Sequence, residues 1–174
     1  MMPEDEDAPI VVRGYRGDAP PTPDLVAIVK AAHTRDTVIQ IFDAAAVVGR
    51  DHLVHAARLA RRARAEGRHK SEDLALAVLV YASGERQIAK ALARMGAPEG
   101  RGLALAAVAL GGGAEAALDT LATRLGWRRD DAVLEASEAK LDRLGVEASL
   151  RAAIPRGRWP DLALERVSLI DLQK

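Results

Sequence analysis

Residues 74–81 read Leu-Ala-Leu-Ala-Val-Leu-Val-Tyr, a stretch that is apolar on every face a helix could present. It is far shorter than the roughly 18 to 20 apolar residues a bilayer span requires, so it must be covered on all sides by a folded domain. This predicts a central helix. Ser71 offers an N-cap with Glu72 and Asp73 in the first turn, and Ser83-Gly84 interrupts the helix at its end.

The rest of the chain has to supply the cover. At 174 residues it fits one domain of ordinary size. A content of 49% hydrophobic and 29% charged residues places it among globular proteins rather than disordered ones. Aromatic residues make up only 3%, so the core is built from Leu, Val, Ile and many Ala, a palette suited to closely packed helices.

Strand signals flank this helical middle. Ile10 to Tyr15 has β-branched and aromatic content and is broken by Gly17, Pro20, Pro21 and Pro23. Thr37 to Phe42 is the clearest strand, while Leu103 to Leu110 is an apolar run whose alanines leave a helix open as the alternative. Helices are predicted over 24–32, 50–65, 85–95, 114–125, 131–144 and 162–172, with Gly96, Gly126 and Gly145 as stops and Pro160 opening the last. In the 85–95 helix, Ile88, Ala91, Leu92 and Met95 form the stripe expected to be buried. The expected fold class is α/β: a single compact domain over residues 10–174, with a small mixed β-sheet of three to four strands flanked by several α-helices. Residues 1–9, with Glu4, Asp5, Glu6 and Asp7 in a row, read as a flexible acidic tail.

Several chemistries have no foothold. Cysteine is absent, which removes disulfides, thiolate metal sites and a cysteine nucleophile. No secretory or transit signature opens the chain, and a cytoplasmic location with no membrane partner is expected. His52 and His55 have the i,i+3 spacing to share a metal, but no third ligand accompanies them. Gly111-Gly112-Gly113 falls between an apolar run and a helix, where backbone N–H groups can cradle a phosphate. It lacks dinucleotide-fold spacing and a P-loop lysine, so a connector is the competing reading. Ser71, Ser83 and Ser137 stand outside any nucleophile elbow, and no catalytic residue, cofactor or metal site is assigned.

Net charge is zero, yet its distribution is uneven. Between residues 50 and 70, Arg50, Arg58, Arg61, Arg62, Arg64, Arg68 and Lys70 face only Asp51 and Glu66. On a helix over 50–65, Leu53, Ala56, Ala57, Leu59, Ala60 and Ala63 share one arc, with His55, Arg58, Arg61 and Arg62 opposite. Arg86, Lys90 and Arg94 share a second polar face. Such stripes are either solvated surfaces or phosphate clamps, because like charges side by side are relieved when an anion accepts them. A helix-turn-helix reading of the successive helices fails, since the middle one has no polar face to offer a groove.

The stretch Tyr-Ala-Ser-Gly-Glu-Arg-Gln-Ile-Ala-Lys-Ala-Leu over 81–92, followed by Gly96, resembles the signature of the TPRKB-like family of small accessory subunits of the KEOPS complex, of archaeal type. The strand at 38–42, the helix opening Asp51-His52-Leu53, and the closing Glu165-Arg166-Val167-Ser168-Leu169-Ile170-Asp171-Leu172 fall in the family's order, so the resemblance runs from about Val38 to Leu172. It implies an α/β domain without catalytic residues that binds the small atypical kinase subunit of KEOPS and reaches the other subunits indirectly. That assembly installs threonylcarbamoyl on the tRNA adenosine beside the anticodon. For archaeal members it also implies recognition of the single-stranded CCA end of tRNA. On this sequence the RNA contacts are then expected at His55, Arg58, Arg61, Arg62, Ser83, Gly84, Arg86, Gln87 and Lys90. With so few aromatics, arginine planes would do the base stacking. A purely structural kinase-binding adaptor and a nucleotide-using enzyme at Gly111-Gly113 are the competing functions.

Overall fold

The computed structural model describes residues 1–68 and 73–173. Four strands, β1 (Ile10–Ala19), β2 (Thr37–Asp43), β3 (Gly100–Gly111) and β4 (Arg128–Arg129), form one sheet in the order β2-β3-β1-β4. Every ladder in it is antiparallel. Around it stand α1 (Thr22–Ala32), α2 (Arg50–Ala65), α3 (Leu74–Ser83), α4 (Ile88–Met95), α5 (Ala114–Leu125), α6 (Glu138–Arg143), α7 (Ala148–Ala152) and α8 (Trp159–Ser168). The α/β domain expected from the sequence is the one observed, with four strands in a sheet that is antiparallel throughout where a mixed one was expected.

The ambiguous run at 103–110 is a strand because it lies inside the sheet, paired to β1 on one side and β2 on the other. Its side chains alternate between two cores: Ala106, Val108 and Leu110 face one, Leu105, Ala107 and Ala109 the other. Alanine on both faces lets helices approach closely. Leu25 and Val29 of α1 and Leu118 and Leu121 of α5 fill one core, while α2, α3, α4 and α8 fill the other.

The apolar segment at 74–81 is the central helix. In α3 every residue but Leu76 is buried. Its cap is the Asp73 carboxylate, which accepts the Leu76 N–H at 3.2 Å; Ser71 and Glu72, expected there, lie outside the described residues, as do His69 and Lys70.

Other boundaries moved for identifiable reasons. β1 runs on through Gly17 because a Cβ there would meet Trp127 Cδ1 at 2.5 Å, so the glycine admits the indole rather than breaking the strand. The helix expected over 131–144 is two pieces, a 3₁₀ turn at Asp131–Leu134 and then α6, because Asp130 and Ser137 each cap a new start. The last helix turns 3₁₀ at Leu169–Leu172. Residues 1–9 lie against the domain, with Pro3 and Ala8 buried. No helix among the described residues is long and apolar enough to cross a membrane.

Candidate functional site

On α2, Arg58 and Arg62 are exposed and His55 is half-buried, its Nε2 2.7 Å from the Ser168 hydroxyl. Burial and the neighbouring Arg58 charge lower the pKa of His55. Arg61 departs from the expected arc. It follows Ala57 by four residues, which places it only about 40° from the buried stripe, and it is 4% exposed. Its Nε donates to the Pro3 carbonyl at 2.9 Å, and its Nη1 to those of Glu6 and Ala8 at 2.9 and 3.2 Å. This guanidinium, together with the N–H groups of Gly111 and Gly112 on the Pro9 and Met1 carbonyls, holds the acidic segment against the domain, and it faces protein carbonyls rather than open solvent. Desolvation lowers its pKa, with Asp5 and Glu6 opposing.

The Ser83-Gly84 turn is buried as well. Ser83 donates its hydroxyl to the Val80 carbonyl at 2.8 Å and accepts the Glu85 N–H at 3.1 Å, so it terminates α3. Gly84 follows with φ of 68°, a left-handed C-cap at which glycine is favoured. This tight stop delays α4 to Ile88, three residues after the expected start, and leaves Arg86, Gln87 and Lys90 exposed.

The two basic surfaces are separated by the C-terminal segment. Ser168 meets His55, Asp171 pairs with Arg68 at 2.7 Å and accepts the Tyr81 hydroxyl, and Arg86 donates to the Gln173 carbonyl. Burial and the Asp171 charge raise the pKa of Tyr81, which keeps the phenol protonated. Arg58 and Arg62 thus flank one side of this segment and Arg86 the other.

On α4 the expected buried stripe is only half buried. Ala91 and Met95 are fully enclosed, but Ile88 is 42% and Leu92 47% exposed. The four residues span about 100° of arc, and only its Ala91 and Met95 part is covered. The uncovered part borders a groove of about 300 Å³ at the free edge of β2, walled by Leu25, Val26 and Val29 of α1, Ile39 and Ile41 of β2, and Leu92. Val26 is itself 45% exposed. Sequence reasoning missed this surface, although a stripe broader than one neighbouring helix can cover was its signal. His33 blunts the strand edge, with Nε2 at 2.9 Å from the Ile39 carbonyl and 3.1 Å from its N–H.

The two alternative chemistries fare differently from their sequence appearance. His52 is fully buried with both ring nitrogens engaged, so it does not face His55 across a metal site. Among the described residues no three His, Asp or Glu gather as a metal cluster. At the glycine run, the N–H of Gly111 donates to the Pro9 carbonyl at 2.9 Å and that of Gly112 to Met1 at 3.0 Å, so two donors of the phosphate cradle are already taken.

No curated protein matches the chain. Residues 24–126 match the family described as kinase binding protein CGI-121, a span that holds α1 from its third residue, α2 to α5, and the strands β2 and β3, and with them most of the groove's walls. With more than half its length covered by that match, the chain belongs to the CGI-121 family of kinase-binding proteins.

Proposed function

We propose that this chain is a non-catalytic, archaeal-type subunit of the KEOPS complex that docks on the small atypical kinase subunit through the α1/α4 groove and presents tRNA for threonylcarbamoyl modification. One observation carries the kinase surface. Among the described residues within the family span, the exposed large hydrophobics are Val26, Ile88 and Leu92. Val26 and Leu92 line the groove and Ile88 lies one turn before Leu92. Exposed apolar side chains clustered around a concavity are what a protein partner buries.

Leu92→Glu is expected to weaken binding of the purified kinase subunit at least about thirtyfold, the loss typical of a central apolar contact. Its melting temperature should stay within about 2 °C of wild type, because the side chain is exposed. Unchanged kinase affinity in Leu92→Glu, with loss in Leu169→Glu, would move the interface to the C-terminal turn.

The tRNA role rests on the exposed cations Arg58, Arg62, Arg86 and Lys90, with Gln87 beside them at the start of α4. Arg61, Ser83 and Gly84 act behind that surface by fixing the backbone. Binding to intact tRNA is expected to exceed binding to tRNA lacking its CCA end. Arg86→Ala should reduce that preference and lower the dependence of log K on log salt by about one unit per lost phosphate contact. Equal, weak, salt-erased binding to both RNAs would leave a structural kinase adaptor.

A further inference from the structure

Arg166 of α8 is half-buried and, among the described residues, makes no hydrogen bond or ion pair; its Nε is enclosed without an acceptor. The side chain lies across two glycines. A Cβ at Gly84 would stand 3.0 Å from its Cγ and 3.2 Å from its Nε, and one at Gly145 would stand 3.2 Å from its Nη2. Both glycines have positive φ, 68° and 76°, so the turns call for glycine and no side chain intrudes on the guanidinium. The same point above Gly145 is 3.6 Å from Nη2 of Arg94, so two guanidinium groups converge there.

The neighbouring charges are otherwise accounted for. Arg94 holds the Ser83 carbonyl and Glu85, each at 3.0 Å. Arg143 donates to the Arg94 carbonyl and pairs with Asp43, each at 2.9 Å. Glu85 and Asp43 are thereby matched, and Arg166 is the cation left over. Desolvation first and the Arg94 charge second lower its pKa, with the Glu85 charge, already paired to Arg94, opposing. A half-buried guanidinium whose Nε has no acceptor costs stability, and a doubly charged ligand with several acceptor oxygens relieves it.

We propose that Arg166 and Arg94 form a binding site for a phosphate group, supplied in the assembled complex by the RNA backbone. Arg86 and Lys90, exposed on the same α4 approach, continue the positive charge away from it, which suits a chain of phosphates rather than a lone carboxylate. The RNA source rests on the tRNA reading above; the phosphate site does not.

The test has two arms, each on the whole chain and on Arg166→Gln. In the first, inorganic phosphate is titrated while the Arg166 Nε–Hε resonance is followed by NMR; the signal is expected to shift saturably, and all phosphate-dependent shifts around Gly84 and Gly145 to vanish in Arg166→Gln. In the second, tRNA affinity is expected to fall about tenfold in Arg166→Gln, with the salt slope reduced by about one. A melting temperature no lower than wild type would show the variant folded. Phosphate shifts with unchanged tRNA affinity would uphold the site and assign it to a free phosphorylated compound. Phosphate shifts in a wild-type chain that binds no tRNA would uphold it while removing the tRNA reading. An Arg166 signal indifferent to phosphate, in a chain whose tRNA binding Arg166→Gln leaves unchanged, would overturn the site and leave the tRNA reading standing.

Discussion

Replacing His52 by Leu is expected to lower the stability of the domain by about 3–5 kcal/mol, which combines two orphaned buried polar groups with an imperfect refilling of the space. The ring is wholly enclosed. Its Nδ1 accepts the Val48 N–H at 3.0 Å, so the proton belongs on Nε2, which donates to the Ala82 carbonyl at 2.8 Å. Each partner has a reason to need it. Val48 precedes the N-cap of α2, which is Gly49 and has no side chain to offer, so the third helical residue reaches back in its place, as in a capping box. Ala82 lies in the last turn of α3, where carbonyls lose their helical partners. His52 therefore ties the start of one helix to the end of the next, directly before the Ser83-Gly84 turn.

The same burial sets a pH dependence. Enclosure holds the His52 pKa at about 4 against an ordinary 6.5, so the folded protein keeps the ring neutral where the unfolded chain takes up a proton. Stability from this group is complete above about pH 6.5 and is lost as pH falls toward 4, by about 3 kcal/mol in all. His52→Leu lacks this component, so the stability gap between it and wild type should narrow between pH 7 and pH 4 in urea titrations. A gap that stays constant across that range would mean that the native ring accepts a proton freely and that the burial argument is wrong.

What could be read from the sequence followed local rules. Helices α2 and α5 have the bounds that periodicity and glycine stops gave them, and α3 is enclosed as its all-round apolarity requires. The failures came where a distant segment decided. Arg61 sits beside the buried stripe, and nothing near it in the chain announces that Pro3, Glu6 and Ala8 will cover it. Gly17 carries a strand instead of ending one because Trp127 packs on it. The basic residues of α2 and of α4 read as two stripes, and nothing in the spacing of either announces that the C-terminal turn runs between them. Arg166 was visible only as a member of the closing segment, since its isolation depends on how Glu85 and Asp43 are shared out in space.

The glycine run offers the sharpest separation between a structural and a nucleotide-binding role. Gly111→Ala is expected to cost about 3–5 kcal/mol, from a left-handed backbone imposed on a Cβ and a collision that the sheet must move to relieve. Gly111 has φ of 112°, and a Cβ on it would stand 1.8 Å from the Asp36 carbonyl oxygen and 2.9 Å from its carbon. That oxygen is main chain at the start of β2, where Gly111 pairs with Thr37, and the Gly111 N–H is held from the other side by Pro9. The strand end is therefore gripped between two backbones and cannot rotate away. Gly112 has an ordinary φ, and its Cβ would touch Met1 only at 3.3 Å, so Gly112→Ala should cost less than about 1 kcal/mol. A phosphate-cradling loop predicts a different loss at the second glycine: a Gly112 variant that folds normally but loses saturable nucleotide binding. Thermal melts of the two alanine variants, with ATP titrated into the Gly112 one and into wild type, decide between them. Nucleotide binding that only the Gly112 variant loses would mean that the N–H groups given to Pro9 and Met1 can be released to a ligand, and the enzyme reading would return.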